Sequence, residues 1–264
     1  MKKIEGDSYR YPVKFVYTVS DIGDMIKLAI KSIKSLHKFV DKNDIIVFYT
    51  PPRSEQNYNR LSKLAIVKNV PNITKPFVCF KDRGPGRYGE KIHLCDVDCS
   101  NVVFLDADTI VKKNPLNLLH GDYDFSARPA AANCEFDKAI WENMFKKFGV
   151  KPILMPNAGF MIFKNYCHRD IKDLWLELIN NDLPRPHSLY YHKEQYALAL
   201  ALAIKRKRIR WMKAYEHAYL WKGEGKIDTY VLHGRTKLRR RLIPKNLRKL
   251  WVKWVKARKD IKIK

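Results

Sequence analysis

The chain has 264 residues, of which 46% are hydrophobic and 12% aromatic, and this length and apolar content indicate a globular protein and exclude a disordered one. Its five cysteines are odd in number and irregularly spaced, which argues against a disulfide framework and for a reducing compartment. The formal net charge of +25 favours a polyanionic partner, which could be nucleic acid, an anionic membrane or a phosphorylated substrate.

The first half of the chain alternates predicted strands and helices. Its start, MKKIEGDSYRYP, is charged and has no apolar segment behind it, so we expect no secretory signal and a cytoplasmic protein. Apolar residues at helical spacing between Ile26 and Leu36 predict an amphipathic helix, and Asp21 is placed to cap it. We also predict strands at Lys14–Ser20, Asp44–Thr50, Pro76–Phe80 and Asn101–Leu105, and helices at Glu55–Ile66 and Tyr88–Asp96.

The second half alternates less regularly. No apolar run approaches the length of a membrane span, and the longest, Tyr196–Ile204, indicates a buried helix. The pattern predicts an α/β domain with a mixed, mostly parallel, Rossmann-like sheet flanked by helices, followed by a basic tail. The predicted elements are a strand near Phe125, a helix at Phe136–Phe148, a strand at Asn157–Asn165, helices at Arg169–Asn180 and Lys193–Ala203, and strands around Arg208–Met212 and Tyr230–His233.

Two carboxylates follow a predicted buried strand in the stretch Val102–Val111, VVFLDADTIV. Asp106 and Asp108 stand two residues apart, so both can face one side of the strand, at the carboxyl end where doubly wound sheets bind ligands. Two neighbouring buried carboxylates are costly unless a cation neutralises them. The pair therefore predicts a Mg²⁺ or Mn²⁺ site that bridges to a diphosphate. The pairs Asp96/Asp98 and Asp122/Asp124 are predicted to be solvated turns.

A second motif competes with this interpretation. The stretch Gly84–Gly89, GPGRYG, matches the dinucleotide fingerprint, lies between a predicted strand and helix, and has Asp106 about twenty residues further on. The fingerprint normally opens the first βαβ unit, however, and here two strands precede it. A single ribose-binding acid would also leave Asp108 unexplained. A nicotinamide or flavin enzyme and a plain glycine turn remain alternatives.

Four segments occur together in this chain: VYTVSD before the first helix, Glu90–Leu119 with its lysine-bearing helix and Asp-x-Asp pair, MPNAGFMIFKN at Met155–Asn165, and VLHGRTK at Val231–Lys237. As a set they resemble the glycogenin-like and lipopolysaccharide-galactosyltransferase-like glycosyltransferases of family eight, which have the GT-A fold. The resemblance implies a catalytic domain over residues 1–237 and leaves residues 238–264 as a tail.

The resemblance also implies roles for individual residues. Asp106, Asp108 and His233 would bind Mn²⁺ or Mg²⁺, although a lone histidine at a strand end is more often a core residue. Glu194 and Gln195 take the place of the family's Asp-Gln pair and would be catalytic together with Lys237; a solvated helix start is the alternative for this pair. The nucleotide sugar would contact Tyr17, Thr18, Arg87, Lys91, Asp106, Asn157, Ala158, Gly159, Gly234 and Lys237.

The expected activity is transfer of a hexose from a nucleotide sugar, UDP-glucose or UDP-galactose, with retention at the anomeric carbon. The acceptor would be a glycan, a lipid-linked sugar or a protein, and a nucleic-acid partner is not expected. Two alternatives stay open. A sugar-phosphate nucleotidyltransferase should carry a glycine-rich loop after its first strand, and a two-metal nucleic-acid enzyme would need further carboxylates near the pair.

The tail predicts a separate interaction. Between Arg235 and Lys264 there are fourteen basic residues and one acid, about half of the net charge. Apolar residues at helical spacing fit either a helix lying on an anionic membrane, peripheral on its inner face, or a helix packed on the catalytic domain. The apolar face consists of Leu247, Leu250, Trp251, Trp254 and Val255.

Overall fold

The structure is a computed structural model that describes residues 12–79, 85–188 and 190–234. Ten strands lie in this part of the chain: β1 Val13–Val19, β2 Ile45–Tyr49, β3 Ile66–Asn69, β4 Asn101–Leu105, β5 Thr109–Val111, β6 Phe125–Pro129, β7 Pro156–Phe163, β8 Ile209–Trp211, β9 His217–Tyr219 and β10 Val231–His233. The α-helices are α1 Met25–Leu36, α2 Glu55–Ser62, α3 Lys138–Lys146, α4 Cys167–Asp170, α5 Lys172–Asn180 and α6 Lys193–Ile204.

Seven strands form the main sheet in the order β3-β2-β1-β4-β7-β6-β8. The pairs β3-β2, β2-β1, β1-β4 and β6-β8 are parallel, whereas β7 runs antiparallel to both of its neighbours. All five residues of β2 and of β4 are buried, because helices cover both faces of the sheet. The predicted mixed, mostly parallel α/β sheet is confirmed.

Two apolar cores lie on the two faces of this sheet. One core packs α5 and α6 against the sheet around residues such as Phe104, Met161 and Trp175. The other packs α1 against β1, with Phe15 and Ile33 among its members. Helix α6 is buried from its first turn to Leu202, as its continuous apolar sequence predicts. Small alanine side chains allow it to lie close to its neighbours.

Three predicted elements differ in the structure. Helix α2 ends at Ser62, and the third parallel strand is β3, which begins at Ile66 where β-branched residues can pair with β2. The expected strand Pro76–Phe80 is reduced, in its described part, to a single bridge between Phe77 and Gly86. The segment Tyr88–Asp96 is a 3₁₀ helix instead of an α-helix. Pro76, at the start of the expected strand, has no N–H to donate to a neighbouring strand.

The N-terminus of α1 is also different from its prediction. Its cap position is Asp24, and Asp21 instead accepts a hydrogen bond from the Tyr49 hydroxyl at the end of β2. Nearby, Asp21 N–H donates to the Pro52 carbonyl over 2.8 Å. The turn after β1 is therefore tied to the turn after β2, because the parallel pairing of these strands brings their carboxyl ends together.

A second, three-stranded sheet has the order β5-β10-β9 and stands beside the carboxyl end of β4. Strand β10 runs antiparallel to β5 and parallel to β9. Neither β5 nor β9 was predicted, since each has only three residues. Among the described residues, no helix has both the length and the apolar character needed to span a bilayer. The tail at 238–264 lies outside the described residues, so its domain boundary and its helix stay predictions.

Candidate metal centre

The two carboxylates of the Asp-x-Asp pair occupy the turn that connects the two sheets. Asp106 follows the last residue of β4, and its N–H donates to the Gly159 carbonyl of β7 over 2.8 Å. Thr109 closes the turn by donating its N–H and its hydroxyl to the Asp106 carbonyl, at 3.1 and 2.8 Å. The side chains of Asp106 and Asp108 remain 25% and 26% exposed, so a ligand can reach both carboxylates from solvent.

His233 comes to these carboxylates through strand pairing. In the antiparallel pair of β5 and β10, His233 lies opposite Thr109, directly after the Asp-x-Asp turn. Its Nε2 is 3.3 Å from Asp108 Oδ1 and 3.7 Å from Asp106 Oδ2. Within the described parts of the chain, these three residues are the one group of three or more metal-binding side chains whose ligand atoms all lie within 4.8 Å.

The donor set of this group fits a divalent cation. Two carboxylate oxygens and one imidazole nitrogen suit Mn²⁺, and Mg²⁺ accepts the carboxylates with water in the remaining positions. The three ligands predicted from sequence are therefore together in space, and His233, although 7% exposed, faces the carboxylates instead of an apolar core. The identity of the metal stays a prediction.

Gly159 makes room for the His233 ring. A Cβ atom at this glycine would lie 1.9 Å from Cε1 of His233. This overlap could be relieved only by moving the His233 ring or the β7 backbone. The sequence reasoning assigned Gly159 to a sugar site on the basis of resemblance. The structure provides a second explanation for this glycine: β7 can have no side chain at this position, because the His233 imidazole lies against its backbone.

A second histidine, His217 of β9, lies behind His233. Its Nε2 is 3.2 Å from Nδ1 of His233, and its side chain is fully buried. Burial lowers the pKa of His217 well below its ordinary value, and the neighbouring His233 and Arg128 act in the same direction, so the ring is neutral. Sequence reasoning missed His217, because nothing local in AYEHAYL indicates that β9 pairs with β10.

Lys91, expected to contact the donor, reaches the same centre from the 3₁₀ segment. Its Nζ is 2.8 Å from Asp106 Oδ1 and donates to the Ala158 carbonyl at 3.1 Å. Burial alone would lower the pKa of Lys91, but the charges of Asp106 and Glu194 outweigh this and raise it. The ammonium group is thus fixed as a cation beside the Asp-x-Asp turn, and its contact with a donor stays a prediction.

Glu194 and Gln195 stand in the first turn of α6 and are both buried, so they do not form a solvated helix start. Gln195 Nε2 lies 3.2 Å from Glu194 Oε1, and the Trp175 indole donates to the Glu194 carbonyl at 3.0 Å. Burial raises the pKa of Glu194, and Lys91 opposes that effect only in part. Within the described structure, Glu194 Oε2 and Gln195 Oε1 are buried atoms with no hydrogen-bond partner. Buried acceptors without a partner are rare in folded proteins and call for an explanation.

Two residues of the predicted nucleotide site lie on β1. The Tyr17 side chain is fully buried, and its hydroxyl is 3.0 Å from Ser32 Oγ, which in turn is 2.9 Å from Thr109 Oγ1. This chain of hydroxyls joins β1, α1 and the Asp-x-Asp turn. Burial raises the pKa of Tyr17. The Thr18 hydroxyl is buried and has no partner among the described residues. Nucleotide contacts of both residues stay predictions.

The other residues predicted to bind the nucleotide sugar make the following contacts in the described structure. Asn157 Oδ1 accepts the Gly159 N–H at 3.0 Å and so shapes the start of β7. Arg87 donates to the Thr74 carbonyl at 2.7 Å. Gly234 has φ of +115° and donates its N–H to the Asp108 carbonyl at 3.0 Å, while a Cβ there would meet Trp221 at 2.8 Å. Lys237 lies outside the described residues.

The competing motifs lack comparable geometry. In the glycine-rich stretch, Gly84 lies outside the described residues, and the following segment is a 3₁₀ helix that does not supply the α-helix N-terminus of a dinucleotide site. The other Asp-x-Asp pairs bind basic side chains: Asp98 pairs with Arg169 at 2.7 Å, and Asp124 with Arg208 at 2.9 Å. These carboxylates are already compensated without a metal.

Comparisons with known proteins show which proteins have a similar fold. No protein-family model and no curated protein sequence matches this chain. Among solved structures, the apo bifunctional glycosyltransferase WbbM is similar over 87% of this chain and 47% of its own length, with a TM-score of 0.59 and 17% identity. This chain thus spans about half the length of WbbM.

Two further structures are similar. The galactosyltransferase LgtC, in complex with donor and acceptor sugar analogues, has a TM-score of 0.58 at 14% identity, over 89% of this chain and 99% of its own. The glycosyltransferase GlyE of Streptococcus pneumoniae has a TM-score of 0.54 at 12% identity, over 92% of this chain and 59% of its own. At such low identities the likeness establishes the fold: this chain has the α/β fold of GT-A glycosyltransferases, as the resemblance implied.

Proposed function

We propose that this chain is a metal-dependent glycosyltransferase that moves a hexose from a nucleotide sugar, UDP-glucose or UDP-galactose, to an acceptor. The single observation that carries the proposal is the convergence of Asp106, Asp108 and His233 at the carboxyl edge of a GT-A sheet. Ligands bind at this edge in doubly wound α/β folds, and carboxylate ligands there suit a cation that also binds phosphates.

The charges around this group support a diphosphate ligand. Asp106, Asp108 and His233 would hold Mn²⁺ or Mg²⁺, and the bound ion would offset the negative charge that develops on the departing nucleotide diphosphate. Lys91 adds a fixed positive charge on the same side, beside Asp106. Lys237 is proposed to supply a further charge, and the Gly234 backbone lies directly beside the Asp108 carbonyl.

Buried acceptors at the start of α6 support a sugar ligand close by. The Glu194 carboxylate interacts electrostatically with Lys91, which itself bonds Asp106. We assign Glu194 and Gln195 to the hydroxyls of the transferred hexose, because each has one buried oxygen that lacks a partner among the described residues. Asn157, Ala158 and Gly159 would line the same part of the site at the start of β7.

Retention at the anomeric carbon is part of the proposal. The acceptor oxygen would bond to the anomeric carbon from the face that the diphosphate leaves, and the acceptor proton would pass to the departing diphosphate oxygen. Gln195 is an amide and a poor nucleophile, so its role would be to position the hexose instead of forming a covalent intermediate. Glu194 accepts a hydrogen bond from Gln195, so we assign it a positioning role as well.

Two alternatives find less support. A two-metal nucleic-acid enzyme needs several converging carboxylates, whereas the neighbour of Asp106 on this site is the cation Lys91. A nucleotidyltransferase needs a glycine-rich phosphate loop after β1, and the residues there are Ser20, Asp21 and Ile22. The acceptor is proposed to be a glycan, a lipid-linked sugar or a protein, with the basic tail directing the enzyme to an anionic membrane surface.

A donor screen tests the proposal. UDP-, GDP-, ADP- and dTDP-sugars are titrated into the full chain with and without Mn²⁺, and binding is followed by calorimetry. We expect a UDP-hexose to bind only when Mn²⁺ is present and to be slowly hydrolysed in the absence of an acceptor. Metal-independent binding, or no binding of any nucleotide sugar, would contradict the proposal.

A further inference from the structure

We propose that His217 is the positioning residue for the metal ligand His233: it accepts the Nδ1–H of His233 and thereby presents Nε2 of that ring, unprotonated, to the cation. The inference rests on the metal site of the proposed function. It concerns a residue with no direct contact to the two carboxylates and with no counterpart among the sequence motifs that identified the site.

The two imidazole rings meet edge to edge. Their planes are inclined by only 16°, and their centroids are 5.3 Å apart. The nearest nitrogens, Nε2 of His217 and Nδ1 of His233, are 3.2 Å apart. Because the two nitrogens are much closer together than the two ring centroids, the edges of the rings, and not their faces, point at each other. The contact therefore has the geometry of an in-plane N–H···N hydrogen bond.

The direction of this hydrogen bond follows from the opposite edge of His233. Its Nε2 points at Asp108 and Asp106, so this nitrogen must hold its lone pair free when a cation lies between them. A neutral imidazole has one proton, which must then be on Nδ1. Nδ1 points at His217, whose Nε2 must accept. Histidine ligands of metals generally need such an acceptor on their second nitrogen.

The surroundings hold His217 in place for this role. Strand β9 pairs in parallel with β10, so that His217 lies opposite Val231, two residues before His233. The Arg128 guanidinium donates to the His217 backbone carbonyl at 2.8 Å. The Phe160 ring stands at 90° to the imidazole, with centroids 5.5 Å apart. Backbone, guanidinium and aromatic contacts leave the ring little freedom to turn away.

The other nitrogen of His217 supports a functional reason for the residue. Nδ1 is buried and has no hydrogen-bond partner among the described residues. A buried polar atom without a partner is destabilising, and an apolar ring such as phenylalanine would avoid the cost at this site. His217 nevertheless has an imidazole here, with Nδ1 unpaired and Nε2 in contact with His233.

The test compares His217→Phe with His217→Gln in the full chain. Mn²⁺ affinity in the presence of UDP is measured from the free Mn²⁺ signal in electron paramagnetic resonance. His217→Phe removes the acceptor but keeps an aromatic ring, and should weaken Mn²⁺ binding about 10- to 100-fold. His217→Gln supplies an amide oxygen as acceptor and should recover a large part of this loss. Tyr219 lies on the same strand as His217, and its hydroxyl donates to the Pro129 carbonyl of β6. The control variant Tyr219→Phe, which removes this hydroxyl, should bind Mn²⁺ like the wild type.

Equal Mn²⁺ affinity in the wild type and His217→Phe would overturn the inference, as would a glutamine variant no better than the phenylalanine variant. Asp108→Asn and His233→Ala separate this outcome from failure of the proposed function. If these two also bind Mn²⁺ normally, the metal site itself is wrong. If they lose Mn²⁺ and the His217 variants do not, only the inference fails.

A measurement on the wild type decides the matter even where a variant fails to fold. Imidazole ¹⁵N resonances are recorded with UDP and diamagnetic Mg²⁺. The inference requires a protonated Nδ1 and an unprotonated Nε2 on His233, together with an unprotonated Nε2 on His217. A spectrum in which His217 carries its proton on Nε2 in the metal-bound state would exclude it as the acceptor.

Discussion

The two sides of the candidate metal centre are built differently. The carboxylate side, with Asp106 and Asp108, follows directly from β4, a fully buried strand at the centre of the seven-stranded sheet. The histidine side, with His233, stands on a three-residue strand of the smaller sheet. The carboxylates are positioned mainly by backbone hydrogen bonds, both within their own turn and to Gly159 and Gly234. The imidazole is positioned by side chains and backbone from three other strands.

The two sides should therefore be sensitive to different substitutions. Because backbone hydrogen bonds hold this turn, a substitution of Asp106 or Asp108 changes the chemistry of the ligand more than its position. The His233 ring depends on the absence of a side chain at Gly159 and on contact with His217. We therefore expect metal affinity to be lost on the carboxylate side when a ligand itself is replaced. On the histidine side we expect it to be lost also when residues that do not contact the metal are replaced.

The largest expected effect is on the carboxylate side. Asp108→Asn removes a ligand charge without changing its size, and should weaken Mn²⁺-dependent UDP binding by more than about 100-fold, beyond the usual loss for a residue behind a ligand. Calorimetry of UDP with Mn²⁺ measures it. Asp98→Asn is the matched control, because that exposed carboxylate belongs to another Asp-x-Asp pair and bonds Arg169. If Asp108→Asn binds like Asp98→Asn, the carboxylates do not hold the metal.

Gln195 tests whether the sugar site is separate from both sides. Gln195→Ala should lower turnover on the order of 100-fold, because a misplaced hexose loses its alignment with the acceptor. UDP and Mn²⁺ affinity should stay nearly unchanged, since neither ligand is assigned to this side chain. Steady-state rates and calorimetry are measured in parallel, with the exposed Gln56→Ala as control. An equal loss of UDP binding would show that Gln195 supports the structure of the site instead.

The histidine side is tested by adding one methyl group. Gly159→Ala places a Cβ at 1.9 Å from the His233 ring, and the ring must move away from the carboxylates. We expect Mn²⁺ affinity to fall about 10- to 100-fold while the protein stays folded, the size expected for a misplaced ligand. Gly225→Ala, whose Cβ would meet only the tip of Leu220 at 3.0 Å, is the control. Unchanged Mn²⁺ affinity in Gly159→Ala would mean that His233 is not a ligand.

The smallest effect on the site is expected from the tail. A chain ending at Ile243 should bind UDP and Mn²⁺ like the full chain, because all ligands and Lys237 are retained. It should sediment less with anionic vesicles, since each basic residue near such a surface contributes roughly 1 kcal/mol. Neutral vesicles provide the control. If both chains sediment equally with anionic vesicles, the tail does not bind the membrane.

Sequence patterns were sufficient for the central part of the fold and for one side of the site. The apolar run before Asp106 predicted a buried strand, and the end of that strand predicted that the two carboxylates lie at the edge of the sheet. The continuous apolar sequence of α6 predicted a buried helix, and it is buried as far as Leu202. These features depend on neighbours within a few residues, so a local pattern contains them. Short elements such as β3 were misplaced, because four residues give too little periodicity to separate a strand from the end of a helix.

The strand, the turn and the pair of carboxylates could be predicted from the sequence, since apolar patterning and residue chemistry are local. The contact of His217 with His233 and the need for a glycine at position 159 come from the tertiary structure. Those contacts arise where β9, β10 and β7 meet, and β7 is separated from β9 by more than fifty residues. Pairing over such a distance depends on how whole elements pack, because many registers of three-residue strands are locally equivalent and burial of the complete sheet selects one of them.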